Sequence, residues 1–304
     1  MLKSIWEDAK REFRYGNMVT RLILINLAVF LLVNLVKITL YIANGATPSD
    51  AFPQFLHFFS MSSDWTFVLT HPWTLVTSMF LHEGVWHILW NMIFLYWFGR
   101  IVGDFLGNRR VFPIYFFGGL AGVLFFFLSA NILPYMGGVE RFALGASGGV
   151  MAIVVASGVI APDYIMRLLF LGDIKLKYIV VALVFLDLIG IGNDMNTGGH
   201  FAHLGGALMG WLVVAQLKTG TDWCQPVNNL LDRIASLFEP RAKRPKVVYS
   251  NKSKSSRTKV GSKFSENLNR QEKVDTILDK IKKSGYSSLS KEEKAFLFEA
   301  SKED

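Results

Sequence analysis

Apolar residues in this chain fall in long runs rather than in the short alternations of a water-soluble fold. Six runs stand out, at about 22–42, 79–98, 111–130, 145–162, 178–192 and 200–217. Most approach the roughly 20 residues a helix needs to cross a hydrocarbon core about 30 Å thick. The pattern predicts an all-α polytopic membrane protein with six transmembrane helices. The fourth run is too short. Only eleven residues separate Val150 from Ile160 inclusive, roughly 16 Å of helix. Read outward from Pro162, it ends near mid-membrane at Gly145, Ala146, Ser147, Gly148 and Gly149. Non-helical backbone at that depth is tolerated only inside protein or beside a watery cavity. The short run therefore predicts a polar cavity with Ser147 at its floor.

The segments around the runs are distinct. Residues 1–21 are mixed in charge and read as an N-terminal cytoplasmic segment ahead of a retained first span, not as a cleaved signal. The connection 44–72 is strongly aromatic (Phe52, Phe55, Phe58, Phe59, Trp65, Phe67), which suits the outer membrane interface or a loop packed on helix ends. Between 218 and 240, Val227, Leu230, Leu231, Ile234, Leu237 and Phe238 recur at helical spacing, predicting an amphipathic helix on the inner surface. Residues 241–270 are basic and Ser-rich, the composition of a flexible linker. Residues 271–304 read as a helical hairpin. Val274, Ile277, Leu278 and Ile281 form one stripe that Gly285 can end, and Ser290 with Glu293 makes a capping box for a second helix ending near Ala300.

Charge placement adds orientation. The net charge is +8, with 18% of residues charged and 51% apolar. Lys and Arg sit before the first run, in the second connection (Arg100, Arg109, Arg110), in the fourth (Arg167, Lys175, Lys177) and throughout the tail. The first and fifth connections carry none, and the third only Arg141. Basic connections alternate, so both termini are expected on the cytoplasmic side. The excess positive charge belongs to a lipid surface; nucleic acid is not expected, and no zinc-finger spacing, phosphate loop or dinucleotide fingerprint is present. A lone cysteine, Cys224, excludes an internal disulfide and reads as an inert thiol.

Polar side chains within spans are costly and each needs a reason. The second run carries His82, His87 and Asn91, the last two sharing a face at i, i+4. The fifth carries Asp187 and the sixth His200 and His203. If the second span enters from outside near Met79, His87 lies roughly 12 Å down, with Asn91 a turn deeper. The sixth run enters from the same side near His200, so a hydroxyl, an imidazole and two donors meet in one layer, a set suited to acyl transfer. Gly145 with Gly149, and Ala202 with Gly206 and Gly210, are small-xxx-small faces that let helices approach closely. Taken alone, a serine among glycines is more often packing, and two histidines on one helix could equally bind a metal or carry protons.

Together these residues resemble the rhomboid intramembrane serine proteases. The resemblance rests on Gly145-Ala146-Ser147-Gly148, on Ala202-His203-Leu204-Gly205-Gly206, on His82-x4-His87-x3-Asn91, and on the stretch from Pro72 and Trp73 to Phe98-Gly99-Arg100, and it covers about 18–217. The tail resembles a short extension on some rhomboids of the Bacteroidetes type. The resemblance implies a six-helix rhomboid domain over 22–217 in a bacterial inner membrane, without cofactor or metal. It implies Ser147 as nucleophile and His203 as general base, a dyad without a third acid. It also implies an oxyanion hole from the Ser147 N–H, His87 and Asn91. Asp187 could orient the histidine, but because an extra ionised group there is expensive it reads as a structural hydrogen-bonding group, and His82, His200, Gly145, Gly148 and Met151 read as supporting or lining residues. Two positions depart from the family pattern. Thr74 stands where an arginine is common, and Met151 where an aromatic often stacks on the histidine. The implied substrates are single-span or other membrane proteins, with small residues at the cut and helix-weakening residues nearby; the hairpin would take an unknown cytoplasmic partner. Two other readings stay open: a non-catalytic rhomboid-like escort of membrane clients, and a small-solute or proton transporter.

Overall fold

A computed structural model describes residues 2–133, 136, 140–168, 172–192, 196–238 and 262–300. The chain divides into two compact units, Met1–Pro240 and Arg241–Asp304. In the first unit, α1 (Leu2–Tyr15) precedes α2 (Met18–Ala43), whose first turn is capped by the Asn17 side chain. The aromatic connection folds into α3 (Ala51–Phe59), β1 (Met61–Ser62) and α4 (Trp65–Thr70), followed by α5 (Thr74–Thr77) and a 3-10 turn at Ser78–Phe80. Then come α6 (Val85–Leu106), α7 (Asn108–Ile132), β2 (Phe142–Ala143) and α8 (Ser147–Ile160). The unit closes with the strands β3 (Ile165–Leu168) and β4 (Gly172–Lys175), then α9 (Leu176–Ile191), α10 (Thr197–Lys218) and α11 (Cys224–Phe238).

The expected helices α2, α6, α7, α8, α9 and α10 are all present, and the protein is an integral, multi-pass membrane bundle. Three of them, α2, α7 and α10, are by themselves long and apolar enough to cross a membrane. Burial is inverted relative to a soluble protein. Large apolar side chains such as Leu31, Leu35, Leu124, Val181 and Phe185 are exposed, while Asn26, His82, Asn91 and Asp187 are buried. Such a surface suits lipid.

Boundaries differ from expectation at two helices that matter. The second span does not begin at Met79. Met79 lies in the 3-10 turn, and α6 starts at Val85 behind Gly84, which takes an extended conformation (φ −137°). His82 is therefore in the turn before α6, and His87 is in its first turn rather than two turns down. Conversely, the fourth helix starts three residues earlier than expected, at Ser147, so Gly148 and Gly149 are helical. Its 14 residues still give only about 21 Å.

Glycines set the spacing at the centre. A methyl on Gly118 would strike Ala152, one on Gly206 the Gly148 carbonyl, and one on Gly210 the Ala152 carbonyl. This seam joins α7, α8 and α10 at backbone contact, as the small-residue faces predict.

The two ends of the bundle differ. At one end the Met18 N–H donates to Asn108 Oδ1 (2.6 Å), Arg110 pairs with Asp222 (2.7 Å), Lys218 donates to the Val159 carbonyl (2.9 Å) and Lys177 pairs with Asp163 (2.9 Å). The basic connections thus gather on one side. At the other end β1 pairs antiparallel with β2, with Met61 opposite Ala143 and Ser62 opposite Phe142. His57 stacks on Phe142 at 3.7 Å, and Trp73 Nε1 donates to the Phe58 carbonyl at 2.9 Å. Thr74 is buried and donates to the His71 carbonyl (2.7 Å), so the first connection is anchored without an arginine there. These two-residue ladders and the β3–β4 hairpin are additions that apolar periodicity does not register.

The second unit holds α12 (Ser262–Ser284), a 3-10 turn at Tyr286–Ser288 and α13 (Lys291–Ala300). Gly285 ends α12 with φ +77°. Ser290 Oγ accepts the Glu293 N–H (3.2 Å) while Glu293 accepts the Ser290 N–H (2.8 Å), a reciprocal capping box. Helix α12 begins inside the segment expected to be a linker; the rest of that segment, 241–261, lies outside the described residues.

Candidate functional site

A cavity of about 1330 Å³ opens between α6, α7, α8, α9 and α10. Ser147, His203, His87, Asn91, Gly145, Gly148, Met151 and Asp187 all line it. The expected meeting of a hydroxyl, an imidazole and two further donors therefore occurs in one space, even though the helix starts were misplaced.

Ser147 is the first residue of α8. Its N–H is one of the unpaired donors of a helix start, at the end that favours negative charge. The segment before it is held in place from two sides. Gly145 N–H donates to the Ser78 carbonyl (2.8 Å), and the buried Tyr115 hydroxyl donates to the Met79 carbonyl (2.8 Å), fixing the 3-10 turn on α7. Gly145 has φ +135°, a conformation other residues rarely adopt. Its missing side chain also leaves room for a neighbour. A Cβ there would lie 2.9 Å from His87 Nε2 and 3.7 Å from Ser147 Oγ. His87 thus faces the serine hydroxyl across Gly145.

Asn91 follows one turn after His87. Its amide nitrogen donates to the His87 carbonyl (2.9 Å), so one amide proton is taken within the helix and the second remains for the cavity. His82 does not line the cavity. It is fully buried in the turn before α6, edge-on to His87 with ring centroids 5.0 Å apart, and supports that ring. His200 also stands behind the cavity wall, its ring edge-on to His203 at 6.0 Å.

Asp187, expected as a hydrogen-bonding group, does bond to both histidines of α10. Its Oδ1 lies 2.7 Å from His203 Nδ1 and 2.8 Å from His200 Nδ1. Asp187 is buried, and its carboxylate meets both imidazoles at once. No sequence spacing announces this contact, because it joins α9 to α10. The signal available was the charge itself, since an acid in an apolar helix needs a partner. Met151 sits one turn below Ser147 on the cavity wall.

Outside the membrane, Cys224 is buried at the start of α11, and burial pushes its thiol up to about 12, with Asp222 adding to the effect. Burial disfavours the Asp222 charge, but the Arg110 guanidinium and the Cys224 N–H hold its carboxyl below the usual range.

Residues 69–219 match the family model of the rhomboid domain, and 261–303 match a family of unknown function (DUF6576). Among similar proteins, RHOMBOID-like protein 12, mitochondrial, of Arabidopsis thaliana is 31% identical over 48% of this chain and 47% of its own length. Rhomboid-like protein 11, chloroplastic, of the same plant is 29% identical over 52% of this chain and 58% of its own. Presenilin-associated rhomboid-like protein A, mitochondrial, of Danio rerio is 30% identical over 46% and 36%. The match thus spans about half or less of most of these relatives. They are organellar proteins, and they do not support the bacterial inner membrane or the Bacteroidetes affinity expected from the sequence.

Proposed function

We propose that this chain, which carries a rhomboid domain, is an intramembrane serine endopeptidase that hydrolyses peptide bonds in or near the transmembrane segments of membrane-protein substrates. The observation that carries this reading is the convergence of Ser147, His203, His87 and Asn91 on one cavity within the bundle. In the proposed reaction His203 takes the Ser147 hydroxyl proton as Oγ attacks the scissile carbonyl carbon. The tetrahedral oxyanion is received by the Ser147 N–H, His87 and the free amide proton of Asn91. His203 then protonates the leaving amine, and water, activated by the same imidazole, releases the acyl group and restores Ser147. The gathering of basic connections at one end supports both termini lying on the cytoplasmic side.

An escort that binds membrane clients without cutting them would use the same cavity. The test is reconstitution in proteoliposomes with a generic single-span substrate, beside Ser147→Ala and His203→Ala. Cleavage by the parent and by neither variant is expected, together with labelling of Ser147 by a fluorophosphonate. Cleavage that persists in both variants would overturn the assignment. Tight substrate binding by an inert parent would favour the escort.

A further inference from the structure

We propose that Asp187 is a positioning residue for His203, and that His200 holds Asp187 in that role. The inference rests on the reading of Ser147 and His203 as nucleophile and base. An ionised carboxylate has no proton to give, so both imidazoles donate to Oδ1 through Nδ1–H. That contact fixes the tautomer of His203. With the proton on Nδ1, the lone pair is on Nε2, the nitrogen available to the serine hydroxyl. The same carboxylate restrains rotation of the ring and stabilises the imidazolium that forms as the proton arrives, the general role of an acid behind a catalytic histidine.

Two features make this tie specific rather than incidental. First, Asp187 is buried in α9, an otherwise apolar helix flank, where an isolated charge is costly. Its two imidazole partners stand on α10 at positions 200 and 203, which share one helix face. Second, room for His200 is built into α9. A methyl on Gly190 would overlap the His200 ring, so the glycine lets the imidazole lie against the helix that carries Asp187. His200 gives the carboxylate a second donor, so Asp187 stays oriented while His203 exchanges its proton. Met151 offers no aromatic face to the histidine; the carboxylate, itself held by the second imidazole, supplies its support. The separations of 2.7 and 2.8 Å are hydrogen-bond lengths, and the three groups satisfy one another.

The test measures kcat and KM in proteoliposomes with a generic single-span substrate, and fluorophosphonate labelling of Ser147. The variants are Asp187→Asn, Asp187→Ala, His200→Ala and Gly190→Ala. Asp187→Asn is expected to lower kcat at least ~100-fold with KM within about threefold, the signature of a lost transition-state interaction. Labelling of Ser147 should slow in parallel while the melting temperature stays near that of the parent. His200→Ala and Gly190→Ala are expected to lower kcat about 3–10-fold, on the same argument of transition-state loss. A kcat within about threefold of the parent for folded Asp187→Asn would overturn the proposal. Should neither Asp187 variant fold, unchanged kcat in both His200→Ala and Gly190→Ala would overturn it. Activity lost on chelation and restored by zinc would also overturn it, assigning the three side chains to a metal. An inactive parent, or an active Ser147→Ala, would instead defeat the protease reading itself, so the two failures are distinct.

Discussion

The carbonyl oxygen of Gly148 occupies the space that a side chain on Gly206 would need. That contact sets how closely α10 approaches α8, and so how near His203 comes to the start of the helix that Ser147 begins. Gly206→Ala is expected to cost about 1–3 kcal/mol through overpacking against backbone and to reduce cleavage with it. Gly192→Ala is the control, because Gly192 is exposed at the end of α9 with an ordinary φ of −79° and the nearest atom to a Cβ there, the Ile189 carbonyl oxygen, is 3.7 Å away. Thermal unfolding in detergent should drop clearly for the first and barely move for the second.

The donors opposite the serine are separable in the same way. Loss of one oxyanion donor costs roughly 100–1000-fold in kcat. Asn91→Ala and His87→Ala should each fall in that range with little change in KM, and the double variant should lose less than the product of the two. Gly145→Ala should resemble them without touching a donor, because a methyl there meets His87 and the backbone is held at φ +135°. Steady-state kinetics on a single-span substrate checks all three. A Gly145→Ala protein with parental kcat would show that His87 has no fixed place beside the serine.

Much of this arrangement was legible in the chain itself, for identifiable reasons. Long apolar runs mark helices because the bilayer imposes their length, and alternating Lys and Arg mark the ends. The start of α6 was misplaced because Met79, Phe80 and Leu81 continue the apolar run; Gly84 is the local stop, and composition smooths over it. Counting the fourth helix from Val150 leaves Gly148 and Gly149 outside it, but close contacts with α7 and α10 hold them in α8. The Asp187–His203 contact depends on how α9 lies against α10, which no spacing encodes. The two-residue strands β1 and β2 are too short to carry a period, whereas α1 has a clear amphipathic period that the mixed charge of residues 1–21 hides.

Cys224 offers a reporter for the basic end of the bundle. With its thiol pushed up to about 12, only ~1 in 10⁴ molecules is thiolate at pH 8. Maleimide labelling is expected to be slow in the folded protein and fast after denaturation. Arg110→Ala removes a charge that favours the thiolate, so faster labelling of that variant would report opening of the α11 start rather than a lower thiol pKa. The Asp222 carboxyl is held below its ordinary value, so the stabilisation it contributes is complete above a pH of about 4 and is lost as the pH falls through the lower folded value. Arg110→Ala should remove that part of the acid sensitivity, read as the shift in melting temperature between neutral and acid pH.

Deleting 241–304 should leave cleavage of a generic substrate within about twofold, because the rhomboid domain match ends at residue 219 and 241–304 forms a compact unit of its own. Partner capture by the isolated hairpin, compared with a Ser290→Ala, Glu293→Ala form, would connect the hairpin to recruitment. A deletion that abolishes cleavage of the generic substrate would assign the tail to catalysis or folding instead.

Every residue from Gly148 to Gly158 is buried by protein. Over that stretch the helix is not sized by the bilayer, so hydrophobic mismatch has little on α8 to act upon. Membranes of different thickness press on the outer helices, where Leu31 and Leu35 of α2 and Val181 and Phe185 of α9 are exposed. Helix α2 can tilt to follow the lipid while the short central one keeps its height. Ser147, at the head of that helix, is thereby given a fixed depth in a membrane whose own dimensions vary.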